Sequence, residues 1–397
     1  MTIPQRLVRA PEWIVLLPFT LSRLALLAVG SLARLFPGLL HTDVESAGVW
    51  TARRWLDVWF RWDSGHYARL VEYGYDLPEP FQASTAFFPL YPTLVRALYW
   101  LVAPDRSQLA LEPHTAAGDA FILSGVILSN VCFIIALMLL YRLVAHMETP
   151  DTAASGWRTH NVAYLAVLYL CVAPASFVFS SFLTESLFLL LTVGAFYAAE
   201  RGGWLAAGVL AGLAALTRSL GVLLALPLAV LWWGQYRRGA ARPFQTLPLL
   251  LAPLGVLLFM VILQRGVGDP LAFIHHGEAW GMARAWPWVA LLSDSASRYL
   301  LDSVDRGLTL LFIALALGAF RLGPAYGLWA LIGTVGALAL KGNAVSMGRY
   351  MMVVFPAFIV LARLGRRWPH VHDAIIIGFT ALMAVLMALS AENFWVV

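Results

Sequence analysis

About eleven apolar stretches follow one another along this sequence, most of them near the roughly 20 residues that carry a helix across a bilayer. They lie near Trp13–Leu35 and Ala120–Tyr141, two within Asn161–Ala199 and two within Trp204–Trp233. The rest lie near Leu247–Leu263, Gly307–Phe320, Ala325–Leu340, Tyr350–Leu364 and Ala374–Leu389. Ser180, Ser181, Thr184 and Glu185 divide the first long run, and Thr217-Arg218-Ser219 divides the second. The first stretch has the length and flanks of a retained anchor rather than a cleaved signal peptide. The expected fold is an all-α integral membrane bundle, one domain over 1–397, without internal repeat, coiled coil or separate soluble domain.

Composition excludes the main alternatives. The chain is 60% hydrophobic and 12% charged, against about a quarter charged in soluble proteins. That rules out a soluble cytosolic enzyme and a disordered chain. The net charge of +5 is carried by arginines spread between apolar runs, a pattern of membrane topology and not of nucleic-acid binding. Lys341 is the only lysine, an arginine bias that points to GC-rich coding and a bacterium. Cys132 and Cys171 both lie in apolar runs, so they read as small buried residues and not as a disulfide or metal framework.

The basic loops orient the chain. Arg237, Arg238 and Arg242 form one such loop, and Arg363, Arg366 and Arg367 another. Arg6 and Arg9 precede the first span; Arg142, Arg158, Arg201 and Arg321 fall at the same level. The positive-inside rule places all of these in the cytoplasm. A long loop, 41–119, and a second, 265–305, are then extracytoplasmic, as are the turns carrying Glu185, Arg218 and Lys341 to Arg349. Asp63, His66, Glu185, Arg218, Lys341 and Arg349 thereby gather at one membrane face. Ionisable residues at membrane depth are costly and mark function, although each alone could be an interfacial side chain reaching water. Six on one face point to a shared cavity.

The first loop is the most unusual segment. Trp59-Phe60-Arg61-Trp62-Asp63-Ser64-Gly65-His66-Tyr67 sets aromatic residues at headgroup level, as on an interfacial amphipathic helix. A carboxylate there, Asp63, can be tuned toward work as a base; it can equally cap a helix or pair with Arg61. Ala86-Phe87-Phe88-Pro89-Leu90-Tyr91-Pro92 carries two prolines that break a continuous helix and make a rigid, shaped loop. Trp62, Tyr67 and Tyr91 flank Asp63 and that loop and are candidates for contact with a ligand.

These motifs resemble those of the PIG-V mannosyltransferases (GPI mannosyltransferase 2-like), which add the second mannose of the GPI anchor in eukaryotes and have bacterial relatives. The resemblance runs from Arg61-Trp62-Asp63-Ser64-Gly65-His66-Tyr67 through Gly74-Tyr75 and the proline loop to Pro174-Ala175-Ser176 and Ser180. It continues through Thr184-Glu185-Ser186-Leu187-Phe188 and Leu216-Thr217-Arg218-Ser219-Leu220-Gly221, where the family usually has Asn in place of Leu220. Gly268-Asp269-Pro270-Leu271-Ala272-Phe273 with Trp280, then Arg349-Tyr350 and Phe355-Pro356, complete it. The resemblance implies a GT-C glycosyltransferase fold and inverting transfer from a polyprenyl-phosphate sugar, most often mannose. It also implies an acidic base in the first external loop, here at Asp63.

The residues add to this. No Asp-x-Asp, Walker-type, Rossmann or His-Glu-x-x-His motif is present, so no nucleotide pocket, metal or other cofactor is expected. A lipid-phosphate donor instead needs cations at membrane depth. Arg218 and Arg349, with Lys341 third, are the candidates, because arginine forks pair phosphate oxygens bidentately. His66 could orient Asp63 or bind acceptor; Glu185 could bind sugar hydroxyls or pair with Arg218. His275 and His276 read as an exposed loop pair, and Asp269 as a turn former before Pro270. The expected partners are the lipid-linked donor, a glycolipid or cell-envelope acceptor and membrane lipids, with no nucleic acid. The expected location is a bacterial plasma membrane with the site outside, or an endoplasmic reticulum membrane with the site lumenal. The sugar stays open, glucose and arabinose being alternatives on the same fold. A transporter or flippase also fits a multi-span chain with membrane charges, but the chain lacks an inverted repeat and its polar residues gather at one face.

Overall fold

The computed structural model describes residues 12–35, 50–78, 81–102, 115–148, 161–279, 284–293 and 301–396. Arg6, Arg9, Arg158, Trp280 and parts of both extracytoplasmic loops lie outside the described residues. Among the described residues every regular element is a helix, and one lies on each of the eleven apolar stretches. Five are long and apolar enough to cross a membrane: Leu16–Ala33, Ala116–Met147, Ser219–Arg237, Pro243–Gly266 and Pro369–Ala391. Among the described residues five helices thus meet this length and composition, fewer than the eleven apolar stretches.

The difference has a physical source. The run from Asn161 to Ala199 is two helices, Val162–Cys171 and Glu185–Glu200, separated by a 3-10 turn at Ser176–Phe179. Ten helical residues rise only about 15 Å, half of a hydrocarbon core. The run from Trp204 breaks likewise at Thr217 and Arg218, between the helix Trp204–Ala215 and the 3-10 turn Ser219–Leu224. Pro324–Leu331 passes through a π-helical segment, Ile332–Gly336, before ending at Lys341. Hydropathy registers the apolar run; it does not register where the helix is interrupted inside it.

Non-helical backbone at membrane depth is tolerated only where protein satisfies its polar groups. Arg23, on the first helix, does this for the break after Cys171. Its Nη1 donates to the Ser176 carbonyl at 2.7 Å and its Nη2 to the Cys171 carbonyl at 3.0 Å and to Ser176 Oγ at 2.6 Å. Its guanidinium also lies over the Phe133 ring, 5.1 Å from the centroid. Arg23→Ala would leave two buried carbonyls without this donor, and unfolding in detergent should show a loss of about 3 kcal/mol. An unchanged melting temperature would mean that those carbonyls find other partners.

The core is one large cluster of buried side chains, with a smaller one around Phe88, Phe259, Leu263 and Ala272. The long helix Ala116–Met147 packs on Glu185–Glu200, which packs on Trp204–Ala215; Leu16–Ala33 packs on the last helix, Pro369–Ala391. Cys132 and Cys171 are both buried free thiols, as read from the sequence. Glu148, after the long helix, pairs with Arg363 at 3.0 Å and Arg366 at 3.3 Å, tying it to the helix Phe355–Arg367. Asp63, Glu185 and Arg218 stand at helix ends or interruptions, and Arg349 on a six-residue helix.

Candidate active site

Asp63 stands immediately before the helix Ser64–Tyr73. Its side chain does not cap that helix, and it does not pair with Arg61. The preceding residue, Trp62, has a left-handed backbone (φ 51°), a conformation that costs a bulky residue about 1–2 kcal/mol. Two contacts from the C-terminal segment hold it: Trp62 Nε1 donates to the Phe394 carbonyl at 2.9 Å, and the Trp62 and Trp395 rings lie 5.1 Å apart. The turn leaves Asp63 facing Arg349.

There Asp63 enters a chain of charges. Arg349 Nη1 donates to Asp63 Oδ2 at 2.5 Å, and Arg349 Nε donates to Glu185 Oε1 at 2.5 Å. The same Glu185 oxygen accepts from Arg218 Nη1, which also donates to Thr184 Oγ1 at 3.2 Å. Glu185 and Arg349 are buried, whereas the Asp63 side chain is 35% exposed. Glu185 Oε2 is buried without a hydrogen-bond partner. Burial of such a carboxylate is tolerated because two guanidinium groups face it.

Both arginines are placed by chain reversals. Arg218 is extended (φ −153°, ψ 149°) at the break after Trp204–Ala215. The chain then folds back so tightly that a Cβ on Gly221 would stand 2.2 Å from the Ala214 carbonyl oxygen; only glycine fits there. Arg349 lies on the short helix Met347–Met352. Tyr350, next to it, has Arg218 over its ring at 4.7 Å and Lys341 Nζ at 5.3 Å from the centroid. Arg218, Arg349 and Lys341 thus bring three cations to one cluster, facing the carboxylates of Asp63, Glu185 and Asp305.

The other sequence-selected residues divide. His66 adjoins the site: Nδ1 is hydrogen-bonded to Ser84 Oγ at 2.9 Å and the ring stacks on Phe87 at 4.9 Å. Tyr67 is buried, its hydroxyl 3.2 Å from Thr184 Oγ1, and so braces the Thr184–Glu185 corner. Tyr91 is fully buried, with its hydroxyl on the Gly125 carbonyl and Ser129 Oγ, and acts in packing. Arg61 is buried too and pairs with Asp57; its Nη1 donates to the Phe60 carbonyl at 2.8 Å. Asp269 accepts the Leu271 N–H, as expected of a turn, and Asp269 Oδ2 holds His275 Nδ1 at 2.7 Å; His276 Nδ1 meets Thr85 Oγ1 at 2.6 Å.

Burial pushes the His66 imidazole below its ordinary pKa, with neighbouring Asp63 opposing and Arg69 reinforcing the shift. A depressed imidazole stabilises the fold fully above its unfolded pKa of about 6.5. That contribution is lost as pH falls below this value toward the lower folded one. A melting-temperature series from pH 7.5 to 5 should therefore show an acid-side fall that is smaller in His66→Gln. Equal falls in both proteins would assign the acid sensitivity to another group.

A small cavity opens beside Asp63 and Arg349. Arg61, Trp62, Phe177, Ser181, Leu183 and Ser390 also line it. Sequence reasoning missed Phe177, Leu183 and Ser390, because nothing local distinguishes them from core residues. It also missed the C-terminal segment: Trp395 Nε1 donates to Ser346 Oγ at 3.0 Å, so this tail touches both the Asp63 turn and the Arg349 turn.

The chain is similar in sequence to known proteins. The family model described as Mannosyltransferase (PIG-V) matches residues 19–234, more than half of the 397-residue chain. GPI alpha-1,6-mannosyltransferase 2 of Mus musculus is 29% identical over 167 residues, 41% of this chain and 29% of that protein. The Rattus norvegicus protein of the same name is 28% identical over the same extent. The chain thus spans under a third of the length of these curated relatives. Among solved structures, the apo oligosaccharyltransferase of Archaeoglobus fulgidus aligns with 94% of this chain and 55% of its own, at 13% identity and a TM-score of 0.46.

Proposed function

The chain belongs to the mannosyltransferase (PIG-V) family, and from that premise we propose that it transfers mannose from polyprenyl-phosphate mannose to a lipid-linked or cell-envelope acceptor. Transfer inverts the anomeric centre, and Asp63 is the general base. The observation that carries this reading is Arg349, bonded at once to Asp63 and Glu185 at the edge of a cavity. One guanidinium there links a partly exposed carboxylate to the buried Glu185–Arg218 pair.

The acceptor hydroxyl oxygen attacks the anomeric carbon as the carbon–oxygen bond to phosphate breaks. Its proton passes to Asp63, and polyprenyl phosphate leaves with the bonding pair. Asp63 Oδ2 faces Arg349, while Oδ1 makes no hydrogen bond to a described residue and is the oxygen that receives the proton. The leaving phosphate is already an anion, so no general acid is required. Arg349, Arg218 and Lys341 stabilise it, acting in a site that burial keeps poor in water. Glu185 holds the two arginines apart and aims them. His66 and Trp62 border the acceptor side. The site faces outward from a bacterial plasma membrane in this reading.

The test offers the purified protein radiolabelled polyprenyl-phosphate mannose, glucose or arabinose with lipids from the source cell, in EDTA. A labelled lipid from the mannose donor supports the proposal. Product from the glucose or arabinose donor alone would replace the sugar and keep the transferase. No product from any donor would end the transferase reading and favour transport.

A further inference from the structure

We propose that Asp305, a residue with no place in the sequence motifs, is the positioning residue for Arg349; this rests on the reading of Arg349 as a donor-phosphate ligand. Asp305 lies in the first turn of the helix Asp302–Ala319, where an acid is ordinarily explained by the helix dipole. Its side chain does more than that. Asp305 Oδ2 accepts the Ser346 N–H at 2.8 Å and Oδ1 accepts the Gly348 N–H at 2.7 Å. The residue is buried, 3% exposed, so both bonds are made away from water.

The turn it grips needs gripping. Ser346 has a left-handed backbone (φ 59°), which is unfavourable for a residue with a side chain. Gly348 has no room for one: a Cβ there would stand 2.8 Å from Asp305 Oδ1 and 3.2 Å from Leu308 Cδ1. The next residue is Arg349, whose N–H donates to the Ser346 carbonyl at 3.1 Å. A charge-assisted clamp on residues 346 and 348 therefore sets the direction in which Arg349 leaves the backbone. That guanidinium must meet Asp63 and Glu185 together, and a small rotation of the turn would break one of the two contacts. Asp305 also lies within electrostatic reach of Lys341, the third cation of the cluster.

Asp305→Asn keeps the shape and one acceptor oxygen but turns an N–H₂ toward a backbone N–H. Gly348→Ala disturbs the same clamp from its other side and serves if Asp305→Asn does not fold. Phenylglyoxal labelling located by mass spectrometry reads Arg349 without any substrate, with buried Arg23 as the internal control. The expected result is labelling of Arg349 that rises severalfold in either variant while Arg23 stays protected. With it, the KM for polyprenyl-phosphate mannose should rise about tenfold at an unchanged acceptor KM. Arg349 and Arg23 rising together would show general loosening and overturn the proposal. So would unchanged labelling together with a wild-type donor KM. If wild type makes no mannosylated lipid yet Arg349 labelling responds, the donor reading fails and the positioning role stands.

Discussion

Asp63→Asn should lower kcat by about 10²–10⁴-fold, the span that general-base catalysis supplies, with little change in stability. Asparagine keeps an oxygen that can accept from Arg349 Nη1, so the turn at Trp62 and the position of Arg349 should survive. The side chain is 35% exposed, and the pairing of a partly exposed carboxylate contributes only about 1 kcal/mol or less. The comparison to make is kcat and melting temperature in the same preparation. A variant that keeps near-wild-type kcat would remove Asp63 from the chemistry and leave it as a partner of Arg349. A variant that loses activity only in step with folded protein would lead to the same conclusion.

Glu185→Ala should have the largest effect on stability, a loss of about 3–5 kcal/mol, because it breaks a buried ion cluster from one side. Glu185 Oε1 is the shared acceptor of Arg218 and Arg349. Without it two buried guanidinium groups face each other with only Asp63, at the rim, to offset them. Glu185→Gln should cost less, since an amide oxygen can still accept. Adding Arg349→Met to Glu185→Ala should recover part of the loss, since it removes one of the stranded charges. Thermal unfolding of the three variants in one detergent checks this. Equal melting temperatures for Glu185→Ala and wild type would mean that water or lipid reaches the cluster and solvates it.

The membrane class was legible from hydropathy alone, because apolar runs near 20 residues have few other uses. Glu185, Arg218 and Arg349 were legible as candidates because each interrupts or borders an apolar run, and Asp63 because it stands in the aromatic motif of the first loop. Glu185 and Arg218 paired as one of the alternatives required. The pairing of Asp63 was not legible: Arg61, two residues away, turns to Asp57, whereas Arg349 is 286 positions distant. Tyr67 and Tyr91 stood out as ligand-contact candidates by flanking Asp63 and the proline loop, and both are buried in packing. Arg23 and Asp305 carried no signal, since a lone arginine within an apolar run and an acid at a helix start are both common in isolation.

The sequence by itself determined that the chain is a helical membrane protein and which motifs mark its polar face. Those properties depend on local hydrophobicity and on the residue types at helix breaks. Tertiary structure alone decided which charges meet. Residues 63, 185, 218 and 349 come together only because interrupted helices pack with their ends at one level and because the turns at Trp62, Gly221 and Ser346 aim the side chains. Such pairing is set by burial: once water is excluded, each buried charge must find its partner within hydrogen-bond reach, and only the packed fold specifies which partner that is.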